Sequence, residues 1–134
     1  MSQQDNVGLI QSIYEEFNRG DIPAILSHLD PQVELVFEGP STIPWAGNRQ
    51  GLDGWGQFFQ TVGENFGEIG LHMEPFAAQG DNVVAAGRYW GTIKKTGKKI
   101  DSPLVHLWTI RNGRVVRCQE LTNTAAEAAA CTGS

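Results

Sequence analysis

Ile10, Tyr14 and Phe17 recur at helical steps with Gln, Asn and Glu between them, so residues 5–18 predict an amphipathic helix packed by one face. Asn18-Arg19-Gly20 ends it. Asp21 suits an N-cap and Pro23 a first turn, so a second, short helix runs to about His28, stopped by Leu29-Asp30-Pro31. Val33, Leu35 and Phe37 then alternate with Glu34, Val36 and Glu38, the period-two pattern of a strand with one buried face. Residues 39–51 read as loop. Leu52, Trp55, Phe59, Val62 and Phe66 return to three- and four-residue spacing and predict a third helix. Gly54, Gly56 and Gly63 each weaken it by up to about 1 kcal/mol relative to Ala, so packing rather than propensity must hold it.

Beyond Gly67 the period changes. Residues 69–78, 82–95, 99–111 and 114–122 are strand-like and are separated by Gly80-Asp81, Thr96-Gly97 and Asn112-Gly113, the last a strong hairpin signal. Three helices and a strand followed by a meander of antiparallel strands predict an α+β fold, with the helices across one face of a bent sheet. The Ala-rich tail, residues 124–134, reads as flexible or as a short helix, with no function attached to it.

With 134 residues the chain suits one domain, 1–134, and folding hides roughly two thirds of its extended surface. Charged residues at 19% and a net charge of −5 describe an ordinary soluble protein and argue against a nucleic-acid partner. The one basic cluster, Lys94, Lys95, Lys98 and Lys99, surrounds a turn and reads as solvation. No stretch approaches the ~20 apolar residues of a membrane span and MSQQDNVGLI does not read as a signal peptide, so no membrane association and a cytoplasmic location are expected. Cys118 and Cys131 form no Cys-x-x-Cys, and with three scattered histidines they offer no metal-ligand spacing. No metal site and no nucleotide-binding loop are expected.

On the third strand of the meander, Ser102, Leu104, His106, Trp108 and Ile110 share one face, and Asp101, Pro103, Val105, Leu107 and Thr109 the other. Both faces are fairly apolar, so hydrophobicity does not choose which turns inward. On the last strand Val116, Cys118, Glu120 and Thr122 share a face by the same count. Arg88 alternates with Val83, Ala85, Gly87, Tyr89, Gly91 and Ile93, the more apolar set, which turns Arg88 outward. His72, Glu74 and His28 read as surface.

The order of these elements, and the runs YEEFNRGDIPAIL, GLDGWGQFF, GRYWGTIKKTGK and VHLWTIRNGRVVRCQEL, resemble the SnoaL-like polyketide cyclases and the wider ketosteroid-isomerase-like group of the nuclear transport factor 2 superfamily. The resemblance covers about residues 7–125. It implies a cone-shaped, curved antiparallel sheet with the three helices across it, enclosing one pocket, commonly in a homodimer formed through the outer sheet face. His106 falls where ketosteroid isomerases carry the acid of their oxyanion hole, and so turns inward. Glu120 joins it. Together they resemble the histidine and catalytic acid of SnoaL-type cyclases, whose chemistry needs a base in an apolar wall and a donor aimed at the developing oxyanion.

The resemblance therefore implies a cofactor-independent cyclase, isomerase or lyase that moves a proton on a small hydrophobic carbonyl compound. Glu120 would be the general base and His106 its orienting or oxyanion-stabilising partner, with Tyr14 assisting His106. Phe37, Trp45, Trp55, Phe59, Trp108 and Cys118 are the expected ligand contacts, Trp45 as a lid or rim. The alternatives are a non-catalytic small-molecule binder of the same fold and a dimerising scaffold with no room for a ligand. Two family reactions are disfavoured. Phe37 stands where ketosteroid isomerases place their base, leaving Glu38 as a remote replacement, and Asn123 where many relatives carry an Asp. Epoxide hydrolases of this fold require an Asp-Arg-Asp arrangement, and two residues beyond Arg88 stands Trp90.

Overall fold

The computed structural model describes residues 2–132. Helix α1 (Gln3–Asn18) opens with a capping box, in which Ser2 and Asp5 each accept the other's backbone N–H. α2 (Ile22–Ser27) is capped by Asp21, whose carboxylate accepts the Ala24 N–H at 3.2 Å. Strand β1 (Leu29–Val36) begins directly after it. The strand pattern was read from Val33, and Leu29-Asp30-Pro31 only as the end of α2, so β1 starts earlier than expected and includes Pro31. Pro31 is accommodated because the pairing of β1 is interrupted between Leu29 and Glu34, where a missing N–H costs the ladder nothing. Within the expected loop, Arg49 and Gln50 form a two-residue strand, β2, against β1.

α3 (Gly51–Asn65) precedes β3 (Phe66–Gln79), so Phe66 starts a strand rather than ending the helix. β4 (Asn82–Ile93), β5 (Lys99–Arg111) and β6 (Arg114–Thr122) complete the meander. The tail forms a fourth helix, α4 (Thr124–Cys131), capped by Asn123, whose side chain accepts the Ala126 N–H at 3.1 Å. Residues 133 and 134 of the expected tail lie outside the described residues.

The six strands form one curved, open sheet in the order β2-β1-β6-β5-β4-β3. It is not wholly antiparallel: β1 runs parallel to β6. A hairpin forces antiparallel neighbours, but α3 and four strands intervene between β1 and β6, and so long a connection permits the parallel pairing. The register also slips on β6. Thr109 pairs with Arg117 but Ile110 with Val115, so one residue is extra, and Val115, fully buried, takes the inward place expected of Val116. Beyond the bulge Cys118 and Glu120 share the inner side, opposite Trp108 and His106.

The helices cover the concave face, with Ile10, Ile25, Leu29, Val33 and Leu35 buried between the layers. Two devices set the spacing. Asn18, at the end of α1, pairs with the backbone of Leu71 like a strand residue, donating to its carbonyl at 3.0 Å and accepting its N–H at 3.1 Å. Gly87 lets β3 approach β4 at its bend: a Cβ there would lie 2.1 Å from the His72 carbonyl oxygen and 2.7 Å from the Met73 Cα. Among the described residues no helix is long and apolar enough to cross a membrane.

Candidate functional site

Between the helices and the concave face lies a cavity with about 80 Å³ of room for water centres. One water needs roughly 10–15 Å³ by that measure, so several water-sized groups fit in it. Its wall is overwhelmingly apolar. Tyr14 reaches it from α1, Trp55 and Phe59 from α3, and His106, Trp108, Cys118 and Glu120 from the sheet.

The main polar feature of the wall is a chain of hydrogen bonds. Trp108 Nε1 donates to Tyr14 Oη at 2.9 Å, and Tyr14 Oη lies 2.7 Å from His106 Nδ1. His106 Nε2 lies 2.8 Å from Glu120 Oε1. The indole can only donate, so the tyrosine hydroxyl spends its own proton on Nδ1. Burial pushes the Tyr14 phenol pKa up and keeps that proton in place. His106 is then the Nε2–H tautomer and donates to the Glu120 carboxylate. Both ring nitrogens are occupied, so His106 has no hydrogen left for a ligand oxygen. Glu120 Oε2 has no hydrogen-bond partner among the described residues, and the Glu120 side chain is only 13% exposed.

The rings of His106, Trp108, Tyr14 and Trp55 stand in a close series: His106 to Trp108 5.3 Å between centroids, Tyr14 to Trp108 6.0 Å, Trp55 to Trp108 6.1 Å. Asn18 fixes the end of α1 on β3, and one helical turn earlier this places Tyr14 above His106. One polar atom of this group is left over. Trp55 Nε1 is buried and has no hydrogen-bond partner among the described residues. A buried donor in that condition costs about 1–3 kcal/mol.

Of the expected contacts, Phe37 lies off the cavity wall, whereas Trp45 lines it, though not at the rim. Phe37 is fully buried but is not part of the cavity wall. β1 ends one residue before it, and Phe37 joins the core beneath the loop, its N–H bonded to Asn48 Oδ1 at 3.1 Å and its carbonyl to the Gly47 N–H at 2.8 Å. Leu35, two residues earlier, is the β1 side chain that lines the cavity. Trp45 is not a rim residue or a lid. It is 3% exposed, with its ring 4.8 Å from that of Phe66 inside the wall. The loop folds in because an indole left outside would keep a large apolar surface in water.

Arg88 points out and pairs with Asp101 at 3.0 Å, and His72 pairs with Glu74 at 3.3 Å on the exterior. His28 is partly covered rather than free at the surface, and pairs with Glu16 at 3.1 Å. Among the described residues no group of three His, Cys, Asp or Glu side chains is arranged to hold a metal.

A second carboxyl in the wall went unread in the sequence. Glu127 of α4 is fully buried, accepts the Tyr89 hydroxyl at Oε2 and the Thr122 hydroxyl at Oε1, and lines the cavity with Tyr89. Burial raises its pKa, aided by the negative charge of Glu120, while the bonds from Thr122, Tyr89 and Trp45 partly offset the rise. Burial likewise raises the Tyr89 phenol, with Glu127 the next cause. The available signal was a lone carboxylate in an otherwise small, apolar helix beginning at an Asn cap.

A curved open sheet wrapped on helices around an inner cavity defines the nuclear transport factor 2-like class. Solved structures of that class superimpose closely. An NTF2-like protein of unknown function from Burkholderia pseudomallei K96243 is 28% identical, with a TM-score of 0.88 over 99% of this chain and 100% of that one. TerC, crystallised with polyporic acid, is 30% identical, with a TM-score of 0.84 over 95% of this chain and 98% of that one. A candidate polyketide cyclase from Xanthomonas campestris, 23% identical with a TM-score of 0.84 over 97% and 98%, shares the fold. No curated protein is detectably similar in sequence. The profile of the SnoaL-like domain matches residues 10–118, and the chain belongs to the SnoaL-like family.

Proposed function

We propose that the protein binds a small, apolar carbonyl compound in the inner cavity and transfers a proton on it, with Glu120 as general base. The observation that carries this reading is the relay Trp108–Tyr14–His106–Glu120, which ends in a carboxylate on a largely apolar wall. A base so placed meets the ligand away from bulk water, and its orientation is fixed in advance by a donor on its other oxygen. His106 acts as the orienting partner, since both its nitrogens are engaged. Tyr14 holds His106 in the tautomer that can donate to Glu120. The reaction draws on the carbonyl's own electron-accepting capacity and requires no cofactor. TerC, 30% identical, was crystallised with polyporic acid, which supports a small organic molecule as the type of occupant.

Exchange of the α-hydrogens of 2-tetralone in deuterated buffer tests the reading. The protein is expected to accelerate exchange, and Glu120→Gln to reduce the acceleration at least ~100-fold, the usual share of a general base. Binding of 2-tetralone, followed by tryptophan fluorescence, should survive the substitution. Wild-type exchange in Glu120→Gln would remove Glu120 from this role.

The second reading is a non-catalytic binder. It is favoured by the completeness of the relay, whose members satisfy one another without a ligand. It predicts that Glu120→Gln alters affinity and that the wild-type protein accelerates no exchange.

The homodimer is likewise a proposal. Val84, Trp90 and Leu121 are 40%, 46% and 55% exposed on the convex side of the sheet, an apolar set that a second copy would cover.

A further inference from the structure

Removing a proton beside a carbonyl leaves negative charge on oxygen, and that oxygen needs a donor. Nearly every donor in the wall is already committed. Trp108 Nε1 donates to Tyr14, Tyr14 to His106, and His106 to Glu120. The hydroxyls of Tyr89 and Thr122 donate to Glu127. Among the described residues, the indole N–H of Trp55 is the buried N–H or O–H donor of the wall left without a partner. Buried side-chain polar atoms without a partner occur at Asn6, Glu16, Arg49 and Trp55 among the described residues, and of these only Trp55 belongs to the cavity wall. Its ring stands beside Trp108, the first member of the relay, and so is one aromatic ring removed from His106.

We propose that Trp55 Nε1 donates the hydrogen bond that holds the carbonyl oxygen of the ligand, and the enolate oxygen formed from it, while Glu120 takes the proton. This rests on the reading of the cavity as the ligand site. In the step, Glu120 Oε2 bonds to the α-hydrogen and the C–H bond breaks. Its electron pair forms the new C=C bond, and the carbonyl π pair moves to oxygen, which holds it as an enolate and accepts the Trp55 N–H hydrogen bond. Return of the proton from the Glu120 carboxylic acid to carbon reverses each change. A single neutral donor also selects. An uncharged ketone satisfies it, whereas a carboxylate ligand would bring a negative charge beside Glu120 with one donor to offset it, and a hydrocarbon would leave the donor unsatisfied.

The test uses the intact protein labelled with ¹⁵N-tryptophan, each indole resonance being assigned through a Trp→Phe substitution, and titrated with 2-tetralone or with tetralin, which lacks the oxygen. The Trp55 indole proton is expected to move downfield with 2-tetralone and not with tetralin. Replacing Trp55 by 3-benzothienylalanine keeps the ring shape and deletes only the N–H. It should weaken 2-tetralone binding about tenfold, leave tetralin binding unchanged and lower the exchange rate about 100-fold. Trp55→Phe provides the same comparison should the isostere fail to fold. An indole resonance that stays in place with 2-tetralone, or that moves equally with tetralin, overturns the proposal. The two claims fail separately: a ketone-specific shift without α-hydrogen exchange supports the Trp55 contact and counts against Glu120 as base. Exchange that survives loss of the N–H counts against Trp55 alone.

Discussion

Tyr14 stands between an indole that can only donate and an imidazole that can take either role, so one hydroxyl proton settles the tautomer of His106 and, through it, the orientation of Glu120. Tyr14→Phe should release that choice. A neutral hydrogen bond contributes about 1 kcal/mol net, so kcat for 2-tetralone exchange should fall several-fold to tenfold with little change in KM, measured by steady-state kinetics. Glu127 allows a thermodynamic test. Its pKa is raised in the folded protein, so above the unfolded value the unfolded chain has released a proton that the folded chain keeps. Its contribution to stability is greatest in acid and declines as pH rises through the ordinary carboxylate range toward the folded value. Glu127→Gln removes this dependence. The Tm of the variant minus that of the wild type should rise with pH from about 4 upward, where thermal unfolding at several pH values would show it. A constant difference would mean that Glu127 titrates normally. Alternation alone separated the two faces of β5, because its parity is unbroken from Ser102 to Ile110, but the choice of the inner one came from the resemblance. Glu127 was not, because in an Ala-rich helix every face looks alike and nothing marks the one turned to the cavity.

At the scale of elements, the close approach of β3 to β4 makes Gly87 the position least able to accept a side chain. Gly87→Ala places a Cβ 2.1 Å from a backbone oxygen, which cannot move aside as a flexible side-chain tip would. Such overpacking costs about 1–3 kcal/mol, so Tm should fall by roughly 5–10 °C in a thermal melt. A variant as stable as the wild type would show that the two strands separate without cost. Periodicity gave the helices and the meander within a few residues, since each has one dry face. It missed the bulge on β6, because one extra residue in a strand has no compositional mark, and Val115 and Val116 are the same residue type. It also missed the direction of β1. Alternation is identical in parallel and antiparallel neighbours, and the connection that decides between them is long.

For the molecule as a whole, the concave and convex faces of one sheet divide the two proposed tasks, ligand inside and partner outside. The convex set of Val84, Trp90 and Leu121 should hold two copies together, giving a solution mass of twice 14.6 kDa by light scattering. Leu121→Glu should shift it to the single-chain mass. A wild-type protein at 14.6 kDa would remove the dimer from the account. The existence of a cavity followed from the resemblance of four sequence runs, but its walls did not. Phe37 lies off the wall, and Trp45 lies within it rather than at its rim, because strand ends and loop paths are decided by tertiary packing. The central claim is that a carbonyl ligand lies within reach of Glu120, and the most direct measurement is a crystal structure with 2-tetralone bound. The account predicts the ligand in the inner cavity with an α-carbon about 3–3.5 Å from Glu120 Oε2, the distance proton transfer requires. A ligand bound outside that cavity, or inside it with both α-carbons turned away from Glu120, would contradict it.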